Sequence, residues 1–395
     1  MDQPQATTLE EGKVKKPRKP RKPPTRSVFE NGLEGILRMR QDVRSAEASK
    51  LNPQEVRYIV DLYYTVQGFR TTSNNQMKAL EKAEEPNELI KWYFLQFRGI
   101  EDQTKLVLDA YTDHYHMGRW AKAHVGIGPI IAAGLLANID IAQAQTAGQI
   151  WRLAGLDPSV QWIGKDGAEK MVAEVLRGKD PKTRIGPAEL EEFARRTNRR
   201  LTTIQSLCAD KNGRYTRESA EAGLAKRPWN QRLKLVCFHI GESFCKFSAR
   251  GDCFYGHHYL HRKAEEERKN RNGEFADQAR QALSGKRFRE DAEAKHWYLG
   301  CYPPEAVDGV RGLTTEAQRS AYLKERRGAP GSGVAMLPPA HIDRRAKRWT
   351  VKLFLAHWFE EGFRDHYKKE PPLPYPVAKM EGHTHVVNPP KVVVD

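Results

Sequence analysis

Residues 227–250 read RPWNQRLKLVCFHIGESFCKFSAR, with apolar side chains at Trp229, Leu233, Val236, Ile240, Phe244 and Phe247. Steps of four and three residues return to one side of a 3.6-residue turn, so the stretch predicts a long helix packed along one stripe. Arg232, His239, Ser243, Lys246 and Arg250 fall together on a neighbouring face. In a basic chain that face is a candidate phosphate track; the plainer alternative is the solvated side of a core helix.

Upstream, residues 162–180 read WIGKDGAEKMVAEVLRGKD, and Ala168, Met171, Val172, Val175 and Leu176 repeat at helical spacing. Asp166 is placed to cap this helix, Glu169 stands at its third position as in a capping box, and Gly178 is placed for a left-handed end. Gly167 in the first turn costs up to about 1 kcal/mol relative to alanine, so something there needs bare backbone, and a nucleic-acid strand at the positive helix start is one candidate. Before it, HVGIGPIIAAGLLANIDI sets Gly126 and Gly128 ahead of Pro129 and the small residues Ala132, Ala133 and Gly134. Such a turn resembles half of a helix-hairpin-helix, whose turn amides contact phosphate; a tight turn between closely packed helices is the alternative.

From Asn52 to about Trp120 the text is helical, with starts expected at Asn52-Pro53, Asn87 and Glu101. These helices are rich in aromatics such as Tyr63, Trp92 and Phe97, and either pack on one another or form a dimer surface. Downstream, breaks at Tyr302-Pro303-Pro304 and at residues 328–333 precede AHIDRRAKRWTVKLFLAHWF. Ile342, Ala346, Trp349 and Leu353 are its expected core stripe, while Arg344, Arg348 and Lys352 repeat on another side, thickened by Arg345 and Lys347. Beyond Pro371 the chain reads as proline-rich and extended. With strand patterns nearly absent, the fold class is all-α. Its expected organisation is a basic Lys/Arg/Pro arm over 1–28, a helical dimerisation region over 29–122, an RNA-binding domain over 123–250 and a basic helical region with a Pro-rich tail over 251–395.

The chain carries a formal charge of +16 over 395 residues. Residues 1–30 hold eight Lys/Arg against four Asp/Glu, which leaves +12 for the rest, so the basicity belongs to the folded part as well. A pI near 9.5 points to a polyanionic partner, nucleic acid before membrane. No apolar run approaches the roughly 20 residues of a membrane span, and no signal-peptide pattern opens the chain, so a cytoplasmic protein is expected. Five cysteines, odd in number and without paired spacing, suit a reducing compartment.

Three segments in order, HVGIGPIIAAGLLANI, GKDGAEKMVAEVLRGKDPK and RPWNQRLKLVCFHIG, resemble the Nop domain of the core protein of box C/D small ribonucleoproteins. The resemblance covers about Val125 to Arg250, and the helices before it sit where that family has its dimerising coiled coil. The glycine turn with AGQIWRLAGLDP is also similar to insertion-sequence transposases that use a bridge RNA. Those enzymes have an acidic RuvC-like domain ahead of this region and a serine-glycine pair after it; here helices precede it and Ser159 lacks the glycine. A closer likeness is to the Tas proteins of phage and bacterial TIGR systems, as a member without a nuclease. This resemblance implies a guide RNA and a target DNA as partners and a homodimer; no cofactor is expected. It implies that Gly167, Glu169 and Lys170 meet RNA at a helix start, and that Gln231, Arg232 and Lys234 hold an adjacent backbone segment. Gly126, Gly128, Arg177 and Trp229 complete the expected RNA-facing set. Lys246, Arg250, Arg344, Arg345, Arg348 and Lys352 are the expected backbone contacts.

Catalytic and metal readings are weaker. His383, His385 and Asn388 supply part of an HNH pattern and nothing follows to complete it. Cys245, Cys253, His257, His258 and His261 are near one another but lack a familiar zinc spacing. Asp113 to His116 reads as ordinary helix surface, and neither a Walker A lysine nor a nucleophile elbow is present. The expectation is a protein that binds nucleic acid without a metal site; the alternative is a strand-transferring enzyme with Ser159 as nucleophile.

Overall fold

A computed structural model of the chain describes residues 39–85, 87–180, 184–284, 288–310, 313, 315–372 and 386–392; the expected arm over 1–28, with His383 and His385, lies outside the described residues. The described residues form seventeen helices and no strand, with one isolated antiparallel bridge between Ala209 and Tyr215. The chain is all-α. None of its described helices is long and apolar enough to cross a membrane.

Helix α1 (Gln41–Ala48) leads to α2 (Pro53–Lys82), where Asn52 Oδ1 accepts from the Gln54 and Glu55 amides and Glu55 accepts from Asn52 N. Helix α3 (Glu88–Asp113), capped by Asn87, runs unbroken, so no separate helix starts at Glu101. Gly99 weakens the helix at that point. Long antiparallel packing on α2 overrides it, with Glu101 held by Arg70 and by Gln67 Nε2 at 3.3 Å.

Helices α4 (His116–Lys122), α5 (Pro129–Asn138) and α6 (Ala147–Leu153) follow. Gly126 takes φ +98° and Gly128 precedes Pro129 at the helix start. Helix α5 is buried on two sides: Ile130, Ala133 and Ala137 meet α1–α3, while Ala132 and Leu135 enter the central core. A Cβ on Gly134 would stand 2.7 Å from Val236 Cγ2, so close helix packing explains that glycine.

Helix α7 (Gly164–Val175) begins earlier than its sequence indicates. Gly164 admits the chain at φ +69°, and Asp166 lies inside the first turn, where its charge suits the helix dipole instead of capping. Glu169 is therefore not part of a capping box. Gly167 falls in the second turn, where a Cβ would stand 2.9 Å from Ile163 Cβ; the helix's own entry residue needs that space. Gly178 takes the expected left-handed backbone, at φ +82°. Helices α8 (Pro187–Thr197), α9 (Leu201–Cys208) and α10 (Arg217–Ala225) occupy what reads as a polar stretch. With α7 they enclose a separate small core that includes Ala168, Val172, Phe193, Ile204 and Leu224.

After α11 (Gln231–Lys246) come α12 (Phe254–Arg271), α13 (Ala276–Ser284), α14 (Glu293–Tyr298), α15 (Pro304–Gly309), α16 (Glu316–Glu325) and α17 (Pro339–Tyr367). Helix α17 runs through the main core, its Val351, Phe354, Leu355, Trp358 and Phe359 packing with Leu233, Val236, Ile240 and Phe244 of α11 and Trp120 of α4. Its apolar face is wider than the expected stripe because α4, α6, α11 and α12 all contact it, and Trp349 and Leu353 are only half-buried. A boundary at 250/251 thus divides segments that share one core. Residues 386–392 lie along this body, with Val387 O accepting from His357 Nε2 at 2.8 Å and Val392 packed on the core.

Candidate nucleic-acid interface

The segment before α11 is fixed from below. Gly155 ends α6 with φ +66°, and a Cβ there would stand 2.7 Å from Trp229 Cγ, so the glycine of AGLDP seats the tryptophan of RPWNQR. Asn230 N donates to Leu153 O at 2.8 Å, its side chain accepts from Leu233 N at 3.1 Å, and its amide donates to Asn138 Oδ1 at 2.9 Å. One asparagine therefore caps α11 and ties it to α5 and α6.

Above that seat, cations lie against indoles. Lys234 Nζ is 3.7 Å from the centre of the Trp229 ring, the Arg227 guanidinium 4.7 Å from Trp162, and Lys352 Nζ 5.3 Å from Trp151. Trp151 Nε1 also donates to the carbonyl of Lys352 at 3.0 Å, locking α6 to α17. Among the described residues, Arg227, Lys234, Arg348 and Lys352 form no salt bridge. Burial lowers the pKa of Lys234, and the charges of Arg348 and Arg227 lower it further. Burial and Arg345 lower that of Arg348. Burial lowers that of Lys352 too, with Arg348 adding to the effect against the pull of Asp157. Like charges crowded together with only Asp157 at their edge are relieved by an incoming anion.

Asp157 is the carboxylate at the edge of this cluster. Against the upward push of burial, hydrogen bonds from Ser159, together with Arg152 and Lys352, hold it below the usual carboxylate range. Ser159 N donates to Asp157 Oδ1 at 2.9 Å. A carboxylate held ionised in this way is a weak base for activating the Ser159 hydroxyl.

Other sequence candidates are dispersed. Arg232 turns away to Asp61 of α2, with Nε 2.7 Å from Oδ2, and Gln231 is exposed beside it. His239 stacks on Tyr64 at 4.5 Å, and Ser243 Oγ donates to Gly126 O at 2.5 Å. The face expected to be a phosphate track therefore meets α2 and the Gly126 turn over part of its length. Lys246 and Arg250 are exposed at its far end, Arg250 paired with Asp252 at 2.6 Å. Arg345 bonds the buried Glu266 at 2.6 Å, and Arg262 holds the other carboxylate oxygen at 2.5 Å. Arg344 is exposed. Lys170 and Arg177 are exposed on the α7–α10 lobe, where Glu169 faces Lys165 at 3.8 Å. Gly126 and Gly128 form the turn into α5, where Gly126 lies against Phe244 and Ser243 of α11.

Trp151, Trp162, Arg152 and Arg227 were not among the sequence candidates. For three of them the sequence signal is a tryptophan next to, or two residues from, an arginine, as in Trp151-Arg152 within α6 and Arg227-Pro228-Trp229 before α11. Among the described residues, no group of three or more His, Cys, Asp or Glu converges as a metal ion would require. Cys253 Sγ faces Val125 O at 3.7 Å and His257 bonds Arg250 O at 2.8 Å. No family model, curated protein or solved structure matches the chain.

Proposed function

We propose that the protein binds a guide RNA and presents it to target DNA, holding both without cutting. The observation that carries this reading is that Arg227, Lys234 and Lys352 each lie against an indole, with Arg348 as a neighbouring charge of both lysines and, among the described residues, no salt bridge to any of the four. Bases stack on indoles and phosphates pair with the flanking cations, which is how single strands are held without sequence preference. Base pairing then reads sequence, and the protein reads backbone and shape. The order of the three Nop-like segments supports RNA as the first ligand.

The test is to sequence the RNA that copurifies with the protein and to compare Lys234→Glu plus Arg348→Glu with wild type. A discrete small RNA is expected, and the double variant should bind it at least about tenfold more weakly, with a salt slope lower by about two. RNA retained with an unchanged slope rejects the site. Arg232→Glu is a poorer probe, because it would set a second carboxylate against Asp61.

The strand-transfer alternative keeps one supporting observation, the Ser159–Asp157 contact. RNA-loaded protein incubated with matched duplex DNA and Mg²⁺ or Mn²⁺ separates the two. Guide-dependent breaks lost in Ser159→Ala establish the alternative.

A further inference from the structure

The α7–α10 lobe meets the main body along a seam beside the indole cluster. Asn198, in left-handed backbone at φ +51°, ends α8 there. Arg152 donates to Asn198 O, Asn198 Nδ2 donates to Ser159 O at 3.4 Å, and Trp162 Nε1 donates to Ala225 O at 2.7 Å. The next residue, Arg199, is only 8% exposed. Its Nη2 reaches Lys226 O at 3.5 Å, while Nε and Nη1 are buried with no partner. Among the described residues no carboxylate pairs with it. Its neighbouring charge is Arg152, of the same sign; burial, then Arg152, lower its pKa against the pull of Cys208.

A buried guanidinium without a counter-ion is costly, and elsewhere in this chain the corresponding cost is met: Glu266, also buried, has both Arg262 and Arg345. We propose that Arg199, with Arg152 at the rim, is the binding site for one backbone phosphate of the RNA, an inference that rests on the RNA-binding reading. A guanidinium takes two phosphate oxygens through its Nε/Nη2 or its Nη1/Nη2 edge, and on either edge of Arg199 one nitrogen is open while Nη2 holds only the 3.5 Å contact to Lys226 O. The seam also continues into the basic face, since Lys226 O touches Arg199 and the adjacent Arg227 lies over Trp162. Because Nε and Nη1 are sealed from solvent, capture of the phosphate includes a parting of the seam. The lobe, with its own core, can move as a unit.

The experiment uses the full chain, freed of nucleic acid at high salt, and a single-stranded RNA of mixed sequence. Arg199→Met removes the charge and keeps the volume. Its free form should melt at or above the wild-type temperature, while RNA affinity falls about tenfold and the salt slope drops by about one. Inorganic tripolyphosphate should raise the melting temperature of wild type more than that of the variant. Should Arg199→Met fail to fold, Arg152→Gln at the half-buried rim carries the same expectation for affinity and slope. Wild type that binds RNA while the folded variants match it in affinity and slope overturns this site and leaves the RNA reading standing. Wild type that binds no RNA overturns both.

Discussion

Replacing Gly155 by alanine joins two penalties at one atom: a left-handed backbone at φ +66° and a Cβ 2.7 Å from Trp229 Cγ. Together they should cost about 2–4 kcal/mol and displace the indole on which Lys234 lies. Thermal unfolding and tryptophan emission measure both; an unchanged midpoint with unchanged emission would contradict this account of the seat. Gly167 makes the opposite case. Its cost in a helix is legible, with an external strand as one candidate cause, whereas the space a Cβ would need is taken by Ile163 one turn earlier. Sequence shows that a glycine is needed and is silent on which neighbour needs it. In the same way Lys234 and Lys352 could each be picked from local text. That they approach one cluster of indoles depends on residues 118 positions apart, and Arg227 and Trp151 carried no period to mark them.

At the scale of the element, helical spacing located α2, α11 and α17 well because each has a long apolar repeat. It missed α8, α9 and α10, whose 8 to 11 residues are too short and too polar for a stripe to stand out. It also reads the Arg232–Ser243 face as an open phosphate track or a solvated side, since a helical wheel does not contain the Tyr64 ring that stacks on His239. Within α17 the arginines part company. Arg345→Ala leaves the buried Glu266 with Arg262 alone and should cost roughly 2–4 kcal/mol, whereas exposed Arg344→Ala should stay within about 0.5 kcal/mol. Chemical denaturation of the two variants checks the contrast. The same helix carries His357, whose Nδ1 accepts from Tyr255 and whose Nε2 donates to Val387. Burial lowers its pKa to about 4, with His258 assisting and the Val387 bond opposing, and burial and His357 lower that of His124 to about 4 as well. Unfolded imidazoles take up protons near pH 6.5, so between there and about pH 4 the unfolded chain binds more protons. Stability should be intact above that window and fall as pH descends through it, by at most about 3 kcal/mol per histidine. His357→Gln should flatten this acid limb in denaturation curves recorded across the window; a limb of equal steepness would show that other groups control it.

For the molecule as a whole, the α2–α3 hairpin projects aromatics that its own packing does not cover. Phe69 is 53% exposed and Leu89 59%, and Phe69, Phe97 and Tyr93 form a ring chain along its outer part. A homodimer through this surface is expected, and light scattering should report two copies for wild type and one for Phe69→Glu plus Tyr93→Glu. A wild-type monomer would exclude it. The passage of α17 through the main core also has a consequence for synthesis. Helices α4, α5, α6 and α11 leave the ribosome well before residues 339–367 arrive to fill the space between them. Until then the nascent chain has an apolar cleft and lacks Arg348 and Lys352, so the proposed RNA-binding face is completed only when translation has passed α17. On the RNA-binding reading proposed above, a growing chain should not capture the abundant RNA around the ribosome, and RNA loading should follow folding. Ribosome-arrested chains stopped before residue 339 should be protease-sensitive across α11 and retain no RNA, while chains arrested far enough beyond α17 for it to emerge should be resistant and bind.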